Sequence, residues 1–437
     1  MTPAAAASAR TRAVEALRKV LEQGRPAAPL VGELSRGLAP AEQDLLRELV
    51  LGVLRWKAAL DAEIAAVCRV RMDRLAPGLR EILEVGLYQV RHLDRIPPYA
   101  AVNEAVEHAR QSGGEGAAKL VNGVLRGILR LPPPRPPDGI ASLARAYSHP
   151  EFLVERWISR FGPDAARRIL EADNAPPLLD LLANPNRTDR EMLRSALARE
   201  EIVSEASPLS PLALTVTSGN PLRSPLLAQG HFSIQDVGSQ ILPLLLPAGG
   251  LLVDLAAAPG GKAISALAHG RAREVLALDR SRNRLHRVVE NARRLAWPVI
   301  RPVAASLEAL PLSERRFERV LLDAPCSGTG TLRKNPEIRY RVSAAAIERL
   351  AASQETWLAA AAMLVAPGGY LLYSTCSLEE EENERVVERV LASDPDLTAE
   401  AIEAPEPLRR FVDGARFRIL PDARSDGFTA LLLRRRG

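Results

Sequence analysis

The first part of the chain alternates apolar and polar residues at helical spacing. Ala13-Val14-Glu15-Ala16-Leu17-Arg18-Lys19-Val20-Leu21 repeats its apolar positions every three to four residues, as do Leu45–Leu54 and Ile82–Val90. Pro97-Pro98 interrupts the pattern, and Ala101–Arg110 and Lys119–Leu129 resume it. Residues 1 to about 130 are therefore predicted to be all-helical. The run Pro132-Pro133-Pro134-Arg135-Pro136-Pro137 predicts a stiff extended linker and a domain boundary. Beyond it the pattern mixes: helices over Glu151–Arg160 and Asp164–Ala172, short strands over Leu179–Asn184 and Ala213–Thr217.

From Leu251 the period switches regularly. Leu251–Leu255, Glu274–Leu278, Ile300–Ala304, Val320–Leu322 and Tyr370–Tyr373 read as strands. Lys262–Ala268, Ser281–Ala296, Ala344–Val365 and Glu379–Ala392 read as the helices between them. That rhythm predicts a mostly parallel sheet with helices on both faces. Arg416–Leu420 and Phe428–Arg434, joined through Asp426-Gly427, predict a terminal hairpin. The expected organisation is multidomain: an all-α domain over 1–135, a small α+β segment over 145–240, and an α/β Rossmann-like domain over 241–437.

Composition changes this picture little. The 437 residues are 47% apolar and carry a net charge of +5, which permits a polyanionic partner without requiring one. No stretch approaches an uninterrupted apolar membrane span, and the alanine-rich start lacks a basic segment followed by a long apolar one, so neither a membrane anchor nor a signal peptide is expected. Three cysteines make no disulfide framework and fit a reducing compartment, with the cytoplasm as the default. Nearly all cations are arginine; the lysines are Lys19, Lys57, Lys119, Lys262 and Lys334. The simple reading is a codon bias towards arginine; the alternative is that Lys262 and Lys334 are positions where arginine does not serve.

Candidate chemistry concentrates at the predicted strand ends. Cys326 lies in Asp323-Ala324-Pro325-Cys326-Ser327-Gly328-Thr329-Gly330, and Cys376 in Tyr373-Ser374-Thr375-Cys376-Ser377. In an open α/β sheet, ligands bind beyond the carboxyl ends of the strands. Two thiols brought to one crevice predict cysteine-dependent catalysis on a bound substrate. Val253-Asp254-Leu255-Ala256-Ala257-Ala258-Pro259-Gly260-Gly261-Lys262 reads as a strand, a tight glycine turn and a helix start. It is neither a dinucleotide fingerprint nor a Walker loop, yet free N–H groups at a helix start favour polar or anionic ligand atoms. The next strand ends on Asp279, whose carboxylate suits a ribose diol; the alternative role for Asp279 is an N-cap.

Ala257-Ala258-Pro259-Gly260-Gly261-Lys262, Asp323–Gly328 and Ser374–Ser377 resemble the motifs of S-adenosylmethionine-dependent RNA cytosine-5 methyltransferases. Ala183-Asn184-Pro185-Asn186-Arg187-Thr188 and Phe232-Ser233-Ile234-Gln235-Asp236 resemble the segment before that family's catalytic domain. Gly52–Trp56, Gly86–Gln89, Ala101–Val106 and Val121–Gly127 resemble the antitermination factor NusB. The combination is similar to the Sun/Fmu branch, RsmB, which methylates small-subunit ribosomal RNA. The resemblance spans essentially the whole chain and implies a NusB-like domain, an RNA-binding middle segment and a Rossmann-like methyltransferase domain.

It further implies S-adenosylmethionine as cofactor, held by Ala256, Ala257, Ala258, Pro259, Gly260, Gly261, Lys262, Asp279 and Asp323, with no metal. It assigns attack on the base to Cys376 and release to Cys326, a choice that chemistry alone leaves open. Asp323 is expected to hold the cytosine edge, and Lys262 to organise the base or that aspartate. One departure is visible. Where the family usually carries an aspartate for the adenine amine, this chain reads Val303-Ala304-Ala305-Ser306-Leu307-Glu308. Ser306, its backbone or Glu308 is the expected replacement, and an uncompensated loss would cost about 1–3 kcal/mol of cofactor affinity.

For the RNA, Arg333, Lys334, Arg339 and Arg341 follow the Cys326 loop, and Asn186 and Arg187 come from the middle segment; all are expected at phosphates. Aromatics are only 4% of the chain, which argues against a broad stacking platform. The expected protein is a monomer that acts on small-subunit ribosomal RNA. The competing readings are a transfer RNA cytosine-5 methyltransferase, a non-catalytic NusB-like RNA-binding factor, and a small-molecule cysteine hydrolase.

Overall fold

A computed structural model of the chain describes residues 8–132, 137–177 and 179–437. The alanine-rich start (1–7) and residues 133–136 of the expected proline linker lie outside the described residues. The chain divides into two compact units: Met1–Ala175 with Leu332–Arg341, and Pro176–Thr331 with Val342–Gly437.

The first unit is helical: α1 Ala9–Gln23, α2 Ala27–Leu34, α3 Pro40–Val67, α4 Leu79–His92, α5 Pro98–Ile128, α6 Ile140–Ala146, α7 Glu151–Phe161 and α8 Pro163–Asn174. Local chemistry sets the ends. Ser8 caps α1 by accepting from the Thr11 N–H at 3.3 Å, while Pro40 and Pro98 open α3 and α5, where no N–H is needed. The two helices expected over 101–129 are both present within α5, separated by a kink at Gly114, whose backbone is non-helical. The apolar stripes of α1–α5 make one core that includes Leu17, Leu46, Leu54, Leu83 and Leu125.

Residues 332–341 follow the Cys326 loop in sequence but belong to this helical unit. This corrects the expectation that Arg333 and Arg339 meet RNA phosphates: they are 1% and 3% exposed. The Arg339 guanidinium donates to the carbonyls of Arg55 (2.7 Å) and Asp173 (3.0 Å) and to Asn174 Oδ1 (2.8 Å). Arg341 is exposed, but its guanidinium donates to the Gly24 carbonyl at 3.1 Å, and Lys334 is half-buried and partnered. A buried arginine is retained when its donors meet acceptors, and these groups hold the segment in place.

The second unit carries two sheets. The smaller runs β1 Leu179–Ala183, α9 Arg190–Arg199, β2 Val203–Ala206, β3 Ala213–Ser218, α10 Pro225–Ala228 and β4 Phe232–Ile234, with antiparallel order β2-β3-β1-β4. Leu181, Leu193, Leu197, Leu214 and Phe232 pack α9 onto it. Strands β2 and β4 and helix α9 were not anticipated; all three are short and little distinguished by pattern.

The larger sheet follows α11 Val237–Ile241: β5 Leu251–Asp254, α12 Gly261–Ala268, β6 Glu274–Asp279, α13 Arg282–Arg294, β7 Ile300–Ala304, β8 Phe317–Asp323, α14 Ala344–Leu364, β9 Val365–Thr375, α15 Glu384–Ser393, β10 Leu397–Ala399, β11 Val412–Asp413, β12 Arg416–Ile419 and β13 Phe428–Arg435. Its order is β11-β12-β13-β9-β8-β5-β6-β7, with β10 beside β13. Strands β9, β8, β5, β6 and β7 are parallel, and the expected hairpin β12–β13 adds antiparallel to β9. One face buries Val288, Leu321, Leu372 and Phe417; the other buries Leu322, Leu358, Leu371 and Val387. Covered faces explain why these strands read as continuous apolar runs. The expected helix from Glu379 begins only at Glu384; Glu380–Glu382 form a tight 3-10 turn in which Glu381 and Glu382 are buried while Glu380 pairs with Arg385 at the surface. No helix among the described residues is long and apolar enough to cross a membrane.

Candidate active site

The strand order reverses at β5, which pairs with β6 on one side and β8 on the other. At such a switch point the loops diverge and leave a crevice at the carboxyl ends. Four sequence-predicted groups come to this end: the glycine turn after β5, Asp279 closing β6, Asp323 closing β8, and the cysteines that follow β8 and β9.

The two sulfurs lie 3.4 Å apart, and both cysteines are partly exposed. Register explains the meeting: Asp323 pairs with Ser374 on adjacent parallel strands, so each cysteine falls just past its strand end. Gly330 brings the loops together. Its N–H donates to the Cys376 carbonyl at 2.9 Å, and a Cβ there would stand 2.6 Å from the Gly427 carbonyl oxygen. Both obstacles are backbone, so a side chain at 330 would push the loops apart.

Lys262, in the first turn of α12, donates to Asp323 Oδ2 at 2.5 Å, and Ser374 Oγ donates to Asp323 Oδ1 at 3.0 Å. Burial works against the Lys262 ammonium, but the Asp323 carboxylate outweighs it and, with Asp254 and the Cys376 sulfur, holds its pKa above the ordinary value. The Cys326 thiol is pushed well up by its hydrogen bond to Cys376, then by burial and by the Glu382 and Asp323 charges. The Lys262 charge interacts with the Cys376 sulfur, and the Glu382 and Asp323 charges bear on Cys326.

Gly260 caps α12 in the left-handed region at φ 101°, close to Val288, where a side chain would be strained. Asp279 is 3% exposed; its Oδ1 accepts from the Ser281 N–H at 2.9 Å and its Oδ2 lies 3.4 Å from Arg284 Nη2. The helix cap of α13 is Ser281 rather than Asp279. The loop holding Ser306 adjoins this corner, since the Ala305 N–H donates to the Asp279 carbonyl at 3.1 Å. The Ser306 hydroxyl donates to the exposed Glu308, whose Oε1 accepts from Trp357 Nε1 at 2.9 Å.

Two carboxylates in this region were not predicted. Asp254 is 1% exposed, and no donor among the described residues meets either oxygen in good geometry; the Ala256 N–H gives weak support. Burial pushes its pKa up to about 7, against the pull of Lys262 and with a push from Asp323 and Asp279. An apolar strand ending in an acid before a glycine turn was the available signal. Glu382 is fully buried, and its carboxylate accepts from Ser327, Ser377 and Gln354. Its four-glutamate run, Glu379–Glu382, resembles a solvated helix face, so nothing local announced it.

Of the RNA candidates, Asn186 and Arg187 are exposed on the turn after β1, with Asn186 Nδ2 donating to the Ala296 carbonyl at 3.1 Å. A cavity of about 790 Å³ elsewhere in this unit, lined by Ser210, His269 and Arg271 among others, contains neither cysteine.

Residues 244–434 match the family described as 16S rRNA methyltransferase RsmB/F, residues 7–130 match the NusB family, and residues 149–223 match a Methyltr_RsmF/B-like, ferredoxin-like domain. The chain is 34% identical over 449 residues to the "Probable ribosomal RNA small subunit methyltransferase B" of Bacillus subtilis, covering 98% of this chain and 99% of that one. It is 31% identical over 432 residues to the ribosomal RNA small subunit methyltransferase B of Klebsiella pneumoniae, covering 98% of both. Among solved structures, that of PH0851 superposes with a TM-score of 0.78 at 24% identity over 97% of this chain and 98% of that one. A methyltransferase homolog from Pyrococcus horikoshii gives 0.57 at 26% identity over 68% and 98%. Near-full-length identity above 30%, on a NusB domain, a ferredoxin-like domain and a Rossmann-like catalytic domain, makes this chain a member of the RsmB/F family of ribosomal RNA small-subunit methyltransferases.

Proposed function

We propose that this methyltransferase acts on carbon 5 of a cytosine in 16S ribosomal RNA, through a covalent bond between Cys376 and the base. The observation that carries the reading is the pair of sulfurs 3.4 Å apart beside the Lys262–Asp323 ion pair.

The cofactor is S-adenosylmethionine, and the residues present suit it. Asp279 offers a carboxylate at the strand tip for the ribose diol, the Ala256–Gly261 turn lets backbone approach, and Ser306 lies on the neighbouring loop. Asp254, buried without a good donor, suits the cationic end of the molecule. Bound there, it supplies an electrophilic methyl group for carbon 5.

Carbon 5 of cytosine is a weak nucleophile. The Cys376 thiolate, facing the Lys262 ammonium, adds to carbon 6 and makes carbon 5 enamine-like. Addition raises the basicity of N3, and the Lys262–Asp323 pair supplies its proton: the ammonium gives one through the carboxylate and regains it when the adduct collapses, which stabilises the adduct in between. After methylation the carbon 5 proton must leave and the carbon–sulfur bond must break. Cys326, held as a thiol against Cys376, relays both protons: it gives its own to the departing sulfur and takes the one from carbon 5. RNA reaches the site with the target base unstacked, its phosphates met by surface cations such as Arg187. The same reading makes the enzyme a cytoplasmic monomer.

A bisulfite map of 16S ribosomal RNA from a deletion strain is expected to lose one methylcytosine; an unchanged map refutes the assignment. A loss in transfer RNA instead favours the competing substrate. Rescue of the strain by a Cys376→Ala chain would point to a non-catalytic RNA-binding role. No histidine hydrogen-bonds either cysteine among the described residues, which leaves a hydrolase reading without its base.

Asp254 also sets a pH dependence. Its folded pKa of about 7 lies above the ordinary carboxylate value, so the acid is protonated below that pH. A cationic ligand needs the ionised form. Affinity for S-adenosylmethionine is expected to fall as pH drops below about 7, by up to tenfold per unit, and the slope to flatten in Asp254→Asn. Calorimetric titration across that range checks both.

A further inference from the structure

The carboxylate of Glu382 lies between the two cysteine loops. Oε1 accepts from the Ser327 N–H at 2.8 Å and from Gln354 Nε2 at 3.1 Å; Oε2 accepts from the Ser377 hydroxyl at 2.5 Å and from the Ser327 hydroxyl. Ser327 follows Cys326 and Ser377 follows Cys376, so one side chain grips the residue after each sulfur. Gln354 also donates to the Pro325 carbonyl at 2.9 Å, which fixes the residue before Cys326. Asn383 extends the clamp: its Oδ1 accepts from Thr375 Oγ1 at 2.6 Å, and its Nδ2 donates to the Ser377 carbonyl at 3.1 Å. A fully buried carboxylate is costly to desolvate, and four donors compensate this one.

We infer that Glu382 is a positioning residue for the cysteine pair: it ties both loops to one buried point and sets a negative charge on the Cys326 side, leaving Cys376 to the Lys262 side. The inference rests on the covalent reading above and says how the fold tells its two thiols apart. The groups that bear on Cys326 are the Cys376 sulfur and the Glu382, Asp323 and Tyr373 side chains, with Lys262 reaching it through Asp323 and Cys376. Removing the Glu382 charge weakens the bias that keeps Cys326 a thiol, and a thiolate has no proton to give the departing sulfur.

Glu382→Gln suits the test, because the two serine hydroxyls can rotate to accept from the new amide while Oε1 keeps its donors. Two readouts are needed. The first is iodoacetamide labelling of the free protein, resolved by peptide mass spectrometry, with Cys68 in the helical unit as reference. Cys326 should label about tenfold faster in Glu382→Gln for each unit its pKa falls. The second is the ratio of covalent RNA adduct to turnover. Glu382→Gln should lower turnover and raise the trapped fraction, whereas simple loosening lowers both together. Unchanged Cys326 labelling, or proportional loss of adduct and turnover, overturns the inference. Glu382→Asp retains the charge and should label Cys326 like the parent; labelling as fast as in Glu382→Gln also overturns it. Cys326→Ala is run alongside. If that variant traps no adduct, the covalent reading itself has failed; if it traps and Glu382→Gln does not, only the role of Glu382 has.

Discussion

Cys326→Ala incubated with its RNA and cofactor is expected to accumulate a covalent RNA–protein adduct, while Cys376→Ala forms neither adduct nor product. The difference lies in what each sulfur meets. Cys376 has the Lys262 ammonium as its cationic neighbour, and Lys262 is held charged by Asp323 at 2.5 Å. Cys326 is held protonated by Cys376, by burial and by the Glu382 and Asp323 charges. A nucleophile needs the first environment and a proton relay needs the second. Removing the nucleophile stops the reaction before any bond to the base forms. Removing the relay leaves addition and methylation intact but slows expulsion, by roughly 10²–10⁴-fold for a lost general acid–base group. The adduct resists denaturing electrophoresis and should map by mass spectrometry to the peptide holding Cys376. Its appearance in Cys376→Ala instead would exchange the two roles. Equal activity in both variants would end the covalent mechanism.

Arg339→Met is expected to destabilise the helical unit by about 3–5 kcal/mol, the cost of opening a buried charged network. The guanidinium is 3% exposed and bonds to the carbonyls of Arg55 and Asp173 and to Asn174 Oδ1. Methionine fills much of the space but offers no donor, so these acceptors are left buried without that partner. The damage spreads to Asp173, which is fully buried and whose Oδ2 lies 3.2 Å from His149 Nε2. His149 is held neutral chiefly by burial and then by the Arg339 charge; the variant lifts only the second, and burial still opposes a cation there. The midpoint for the helical unit should fall by roughly 10 °C in a thermal melt followed by calorimetry. A surface change such as Arg187→Met should leave it within about 1 kcal/mol. An unchanged melt for Arg339→Met would restore Arg339 as a candidate for the RNA surface.

Much of the catalytic unit was legible because its signals are local. Apolar runs gave the five parallel strands within a few residues, and the thiols, Lys262 and the glycine turn stood at their ends. The Cys326–Cys376 meeting followed from strand-end chemistry before any coordinates, since adjacent parallel strands deliver their following loops to the same edge. The arginines after the Cys326 loop misled. Arg333 and Arg339 sit in a short polar turn with the composition of a surface loop, and the Arg339 guanidinium meets acceptors 165 and more positions away. Glu382 was invisible for the same reason: an acidic run has no local feature that distinguishes a solvated acid from one gripped by Ser327 and Gln354.

Period, turn residues and reactive groups act over a few positions, so the order of residues alone specified the alternating sheet, the helical start and which side chains could do chemistry. Which polar groups were buried, and against whom, depended on long-range packing. Desolvation and hydrogen-bond satisfaction are properties of a whole neighbourhood, and that neighbourhood exists only once distant segments have come together. The fold thereby turned Asp254 into a carboxylate without a good donor, Arg339 into a structural cation, and two thiols 50 positions apart in sequence into a pair 3.4 Å apart.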